Sequence, residues 1–170
     1  GLVARLHSHS CPSACGRRSS KKEDEALGRS RGGFSTKLHL ACDAQGQPVE
    51  LRLGPGQEAD ITRAEELLGE HKPEAVIADK AFDADRFVDL LQQREVEVVI
   101  PPLSCRTTQR KYSKRKYKQR NLIEPFITPV KHYRRVATRY EKTARNFLAF
   151  AQLASTLVTL DFYKRVRPTA

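Results

Sequence analysis

The short apolar run Ala75–Ala78 and the strand-like Val96–Ile100, which includes Glu97, bracket the amphipathic stretch Ala84–Arg94 and constrain the chain more than any other feature. An uninterrupted apolar strand suits a sheet position covered on both faces, which is the environment of parallel strands. Between the runs, Phe87, Val88, Leu90 and Leu91 recur at helical spacing. Strand, helix and strand at this distance form a βαβ unit. Asp79 closes the first run and so lies at the carboxyl end of a buried strand, where open α/β sheets place ligands. A simple turn or capping aspartate fits that position equally well.

Upstream, Thr36–Cys42, the turn Asp43–Gln47 and the returning run Pro48–Leu53 read as a hairpin. Gly54-Pro55-Gly56 breaks the chain, and Asp60 is expected to cap a helix running to Gly69 with Ile61, Ala64, Leu67 and Leu68 on one face. The opening segment GLVARLHSHS reads as the tail of a strand, followed by polar, turn-rich sequence that includes Asp24. His7, His9, Cys11 and Cys15 have a spacing compatible with zinc, but no second ligand pair accompanies them and loop residues are favoured. The loop Gly28–Gly33 (GRSRGG) could bring amides and two arginines to a phosphate. Downstream, residues 103–116 lack apolar periodicity and are expected to be a loop, or a helix formed on docking. Tyr140–Leu160 reads as a long helix burying Tyr140, Phe147, Leu148, Phe150, Ala151, Leu153, Ala154, Leu157 and Leu160, with a tail over 161–170.

The net charge of +11 is concentrated. Residues 106–145 carry fourteen Lys/Arg against Glu124 and Glu141, whereas the rest of the chain is near neutral. Such one-sided excess marks a polyanion-binding face, with nucleic acid as the expected partner and an acidic membrane surface as the plainer competitor. The four cysteines suggest reduced thiols rather than a disulfide framework. No stretch of eighteen or more apolar residues and no secretory leader is read in the sequence, so a cytoplasmic protein that spans no membrane is expected.

Within the basic part, Tyr117–Lys131 follows the pattern Y-x(2)-R-x(3)-E-x(6)-K. On a continuous helix, Tyr117, Arg120, Glu124 and Lys131 would fall within roughly a 60° arc. Spacing alone leaves a solvated basic helix with one compensating acid as the competing reading. The segments GRSRGGFSTKLHLACDAQGQPV, VIADKAFDAD and YKQRNLIEPF, followed by HYRRVATRYEKTARNFLAF, resemble bacterial insertion-sequence transposases of the DDE type, in the branch called insertion sequence five. The resemblance covers roughly residues 1–160.

The resemblance implies an α/β, ribonuclease H-like mixed sheet flanked by helices, with a catalytic domain over residues 34–160 preceded by a strand remnant and basic loop over 1–33. It implies DNA transposition by Mg²⁺- or Mn²⁺-dependent strand cleavage and transfer, with hard oxygen ligands holding the ions. Carried onto this sequence, Asp79 matches the second acid and Glu124 the third; both would be metal ligands. Tyr117, Arg120 and Lys131 match the signature positions, expected to grip phosphates. Arg29, Arg31, Lys37, Arg110, Lys111, Lys114, Arg115, Lys116, Lys118, Arg134, Arg135 and Arg139 would contact the DNA backbone. The family's first Asp precedes a segment like GLVARLHSHS, so the expectation is an N-terminally truncated form with its first strand largely missing. Implied partners are DNA, a second copy in a homo-oligomer and an upstream transposase fragment, in association with the nucleoid. A catalytically inactive DNA-binding remnant is the alternative, favoured by the expected loss of the first Asp and by Pro125 and Pro129; Pro125 follows Glu124 and disfavours helical geometry there. A new helix starting at Pro125 would make it harmless.

Overall fold

The structure, a computed structural model, describes residues 3–14 and 25–166. Among the described residues the strands are β1 (Val3–Pro12), β2 (Gly28–Ser30), β3 (Gly33–Cys42), β4 (Pro48–Pro55), β5 (Ala75–Ile77) and β6 (Glu97–Val99). They form a mixed sheet in the order β2-β3-β1-β5-β6, with β4 also paired to β3. β1 is ten residues long and lies between β3 and β5. The alternation in Val3–Pro12 looked like a strand remnant because its partners lie far along the chain: Val3 pairs with Ala75 and Arg5 with Ile77, in parallel.

The chain divides into two compact units. The first comprises Gly1–Ser8, His39–Arg52 and Ala59–Ile123; the second comprises His9–Leu38, Leu53–Glu58 and Glu124–Ala170.

In the first unit, β5 explains its own composition. Val76 and the following Ala78 pack with Leu67, Leu68, Phe87 and Leu91 on one side, while Ala75 and Ile77 pack with Val99, Tyr112 and Tyr117 on the other. Successive strand residues point to opposite faces, so a strand covered on both must be apolar throughout. β6 runs parallel to β5 with Ala75 opposite Glu97 and Ile77 opposite Val99, and helix α2 (Asp85–Gln93) joins them, burying Phe87, Val88 and Leu91. The hairpin turn is held by Asp43, whose carboxylate accepts the amides of Gln45 and Gln47 at 2.9 and 2.8 Å, and by Gly46 in a left-handed conformation. The expected helix from Asp60 is shorter and differently capped. Asp60–Arg63 is a 3₁₀ turn with Ala59 at the cap position, and helix α1 (Ala64–Leu68) ends at Gly69. Three-residue periodicity tightens this start, so Asp60 lies inside the turn instead of ahead of it.

In the second unit, β2 pairs antiparallel with β3, placing Gly28 opposite Ser35 and Ser30 opposite Gly33. Helices α4 (Glu124–His132), α5 (Arg134–Ala137) and α6 (Ala144–Val166) pack together, burying Phe126, Ile127, Val130, Val136, Phe147, Ala151 and Ala154. Helix α6 starts later and ends later than its sequence suggests. Thr143 precedes it, with its hydroxyl accepting the Asn146 amide at 3.3 Å, and the helix continues through residues expected to be a tail. Tyr140, Leu153, Leu157 and Leu160, expected inside, are exposed. Apolar residues there occur all round the helix, so composition alone could not say which side is covered.

Close approach sets one glycine in this unit. Gly56 donates its amide to the Ser35 carbonyl at 3.0 Å, and a Cβ at this position would lie 1.9 Å from Ser35 Oγ and 2.9 Å from the Ser35 carbonyl oxygen. Gly56→Ala is expected to destabilise the protein by about 1–3 kcal/mol through overpacking. A urea midpoint equal to that of the parent would show that the segment moves aside freely.

Candidate functional site

Asp79 emerges directly from β5 in an extended conformation and caps the 3₁₀ turn Lys80–Phe82. Its Oδ1 accepts the Lys80 amide at 2.7 Å, and its Oδ2 accepts from Arg120 Nη1 at 3.2 Å. The Arg120 guanidinium lies over the Tyr117 ring, 5.7 Å from its centroid, and Tyr112 meets Tyr117 edge-on at 5.6 Å. Burial pushes the Tyr117 phenol above its ordinary pKa; the Arg120 charge opposes this and the Asp79 charge adds to it. Asp79, Tyr117 and Arg120 are thus brought together within the first unit, around the covered face of β5.

Arg5 was not foreseen in this role. It is buried on β1, and its guanidinium donates to the Gln119 carbonyl at 2.9 Å and to the Asp43 carbonyl. Burial lowers its pKa, with Cys42 and Asp43 opposing. Arg5 thereby anchors the backbone next to Arg120. Its only sequence signal is a charge inside a strand, which alone does not reveal two carbonyl partners.

The single helical face expected for Tyr117–Lys131 is not formed. The stretch is divided into helix α3 (Lys114–Tyr117), a 3₁₀ segment (Lys118–Ile123) and α4. Pro125 fits this division: it lacks the amide that a continuous α-helix would direct to the Asn121 carbonyl, and it stands second in α4, where a missing amide is tolerated. Pro129 lies inside α4, so its absent amide cannot reach the Pro125 carbonyl. Tyr117 and Arg120 belong to the first unit, Glu124 and Lys131 to the second. Both Glu124 and Lys131 are exposed on α4.

The basic residues fall into two groups. Arg29, Arg31, Lys111, Lys114, Arg115, Lys118 and Arg134 are exposed, although Arg134 also donates to the Tyr140 hydroxyl at 3.3 Å. The others have partners within the protein, Arg135 among them although its side chain is 61% exposed. Arg110 binds Asp83 and Asp85. Lys116 pairs with Glu97, Arg135 with Glu141 at 2.8 Å, and Lys37 donates to the Glu58 carbonyl at 2.6 Å. Arg139 is 1% exposed and makes its bonds inside the second unit, so it is a core residue and not a DNA contact. Charge counting could not separate these groups, because it registers cations and not their partners.

Asp83 is a second residue that sequence reasoning passed over. Its side chain is 1% exposed. It accepts the Leu103 amide at 2.7 Å, Arg106 Nε at 2.5 Å and Arg110 Nη1. Burial alone would raise its pKa, but the Leu103 amide and the two guanidinium groups hold it below the ordinary carboxylate range. This clamp fastens the segment that begins the basic stretch to the N-terminal end of α2.

The other candidates are not assembled into sites. In β1, Cys11 is buried and its thiol is pushed up to about 12, chiefly by burial, which disfavours the thiolate that zinc requires. Cys15 and Asp24 lie outside the described residues. Within Gly28–Gly33, Ser30 donates to the Gly33 carbonyl at 3.1 Å and closes a tight turn. Among the described residues, no group of three or more His, Cys, Asp or Glu could hold a metal ion. Asp79 has both oxygens engaged by the chain's own donors. In this arrangement the residues do not fit a divalent cation. No helix is long and apolar enough to cross a membrane.

Comparison with known proteins gives the following. The family described as transposase DDE domain matches residues 9–159. A candidate transposase for insertion sequence element IS6501 of Brucella ovis is 36% identical over 131 residues, covering 75% of this chain and 99% of the relative. A candidate transposase for element IS402 of Burkholderia cepacia is 27% identical over 142 residues, covering 76% of this chain and 65% of the relative. No solved structure matches.

Proposed function

Since this chain belongs to the transposase DDE domain family, as an insertion-sequence transposase, we propose that it binds duplex DNA through exposed cations of the unit that holds Asp79 and contributes part of a strand-transfer site. The observation that carries this reading is one unit in which a carboxylate at the end of a buried parallel strand stands against Arg120. The same unit exposes Lys111, Lys114, Arg115 and Lys118. Exposed Lys and Arg bind DNA by displacing counterions from phosphates, which needs no particular base sequence. The ribonuclease H-like reading is supported by a β1 flanked by β3 on one side and the parallel β5 and β6 on the other.

In the family's pattern Asp79 and Glu124 are the second and third acids, and divalent-cation dependence is general to such enzymes. We assign Mg²⁺ or Mn²⁺ on donor chemistry, since carboxylate oxygens favour hard ions. Because the described residues do not fit such an ion, we derive no chemical step through it. A further carboxylate would come from an upstream transposase fragment or a second copy in a homo-oligomer. The second reading, DNA binding without cleavage by this chain alone, is favoured by the Arg120–Asp79 contact itself.

The test is a salt titration of binding to a short duplex. If each of the four exposed cations engages one phosphate, log K should fall with log salt at a slope of about −3.6, and Lys114→Gln/Arg115→Gln should reduce that slope by about 1.8. A slope near zero would remove DNA from the reading. In parallel, the chain with Mg²⁺ or Mn²⁺ and DNA carrying insertion-element ends is expected to give no nicking. Nicking that disappears in Asp79→Ala would establish the cleaving reading over the binding one.

A further inference from the structure

We propose that Asp83 is a positioning residue for DNA binding: with Arg106 and Arg110 as struts, it holds residues 103–118 in order before DNA arrives, so that a duplex meets the exposed cations already arrayed. The inference rests on the reading of Lys111, Lys114, Arg115 and Lys118 as phosphate contacts, and it assigns the residue that sets them in place.

The start of this segment has little regular structure to hold it. Residues 103–113 form no helix or strand. Their order comes from one carboxylate, whose side chain is 1% exposed. Asp83 Oδ2 accepts the Leu103 amide at 2.7 Å and Arg106 Nε at 2.5 Å, while Oδ1 takes Arg110. The Asp83 carbonyl accepts Arg106 Nη2 at 3.0 Å, and Asp85 engages further nitrogens of both arginines. The segment is thus tied at positions 103, 106 and 110. It also closes on itself, since Gln109 Nε2 donates to the Leu103 and Arg106 carbonyls at 3.2 and 3.1 Å. Past the clamp, Ser113 caps α3 and Lys116 pairs with Glu97.

Two kinds of cation therefore alternate along one segment. Arg106 and Arg110 face carboxylates that neutralise them, whereas Lys111, Lys114, Arg115 and Lys118 are exposed. A segment ordered in advance binds without the entropy loss of ordering it on the DNA. The consequence runs against charge counting. Removing a negative charge from a basic protein ordinarily tightens its hold on DNA; removing this one should loosen it.

The test joins the salt titration of the full chain on a short duplex to hydrogen exchange. In Asp83→Asn, affinity should fall about tenfold at every salt concentration with the slope kept, because the ordering cost now falls on binding. Asp89→Asn, which removes an exposed charge from α2, should bind no more weakly than the parent. Arg110→Gln is the second route should Asp83→Asn fold poorly, and it too should weaken binding with the slope kept. Amides over 103–118 should be protected from exchange in the free parent. In Asp83→Asn that protection should fall by more than it does in β5, and return with duplex bound. Binding by Asp83→Asn as tight as the parent's, or an equal loss in Asp89→Asn, would overturn the inference while the parent's slope upholds the DNA reading. So would an unprotected segment in the free parent, or a slope reduced by about 0.9 in Arg110→Gln, which is the mark of a phosphate contact. A slope near zero in the parent would remove the DNA reading and this inference with it.

Discussion

Replacing Asp83 with alanine is expected to cost about 3 kcal/mol of stability, because it removes a buried charged acceptor from three donors at once. The Leu103 amide loses its acceptor, and Arg106 and Arg110 lose the carboxylate that aligns them. Asp85 binds the same two arginines, but its side chain is 70% exposed. Asp85→Ala should therefore cost under about 1 kcal/mol. Urea denaturation of the two variants checks the contrast, and equal losses would mean that the clamp is merely electrostatic. The pH dependence has a definite sign. The folded pKa of Asp83 is depressed, so its contribution is fully present above the unfolded carboxylate value near about 4. That contribution is lost as pH falls through the lower folded value. Asp83→Asn should flatten this part of the acid-unfolding profile.

The second large effect is expected at Arg139. Its guanidinium donates to the Glu25 carbonyl at 2.6 Å, Thr36 Oγ1 at 2.5 Å, the Glu141 carbonyl at 3.0 Å and the Lys142 carbonyl at 3.1 Å. It also lies over the Phe147 ring at 5.6 Å. Arg139→Ala removes a buried guanidinium from four acceptors, of which the Glu141 carbonyl and Thr36 Oγ1 lie in buried bonds, a loss of about 3 kcal/mol. Lysine offers the same charge from a single nitrogen and cannot reach acceptors arranged around a fork. Arg139→Lys should therefore recover less than half of the loss. Near-parental stability with weakened DNA binding in Arg139→Lys is the outcome expected of a surface phosphate contact, and it would return Arg139 to the DNA-facing group.

These two residues also show where the sequence is readable and where it is not. The β5–α2–β6 unit was legible because its pattern reports burial directly: an apolar strand has both faces covered, and the spacing of Phe87, Val88 and Leu91 marks one side of a helix. The placement of Asp79 after that strand was legible too, as was its reading as a capping residue. Arg139 was misread because a buried arginine and a DNA-facing one are the same letter in a basic run. Asp83 was passed over because its partners lie twenty and more positions away, in a segment without periodicity. Pro125 was read for what it does to the backbone, and the break in the expected helix agrees with that reading. Glu124 and Lys131 were grouped with Tyr117 and Arg120 only on the premise of continuity.

The position of β1 has a consequence in time. Arg5 on β1 faces Ile77 on β5 across 72 residues of chain, and its guanidinium reaches the Gln119 carbonyl across 114. During synthesis at about 5–20 residues per second, that side of β1 waits several seconds for a neighbour. Contacts this remote in sequence also slow refolding, because loop closure must come before they form. Until β5 has been made, β1 is an edge strand, open to pairing with another nascent copy.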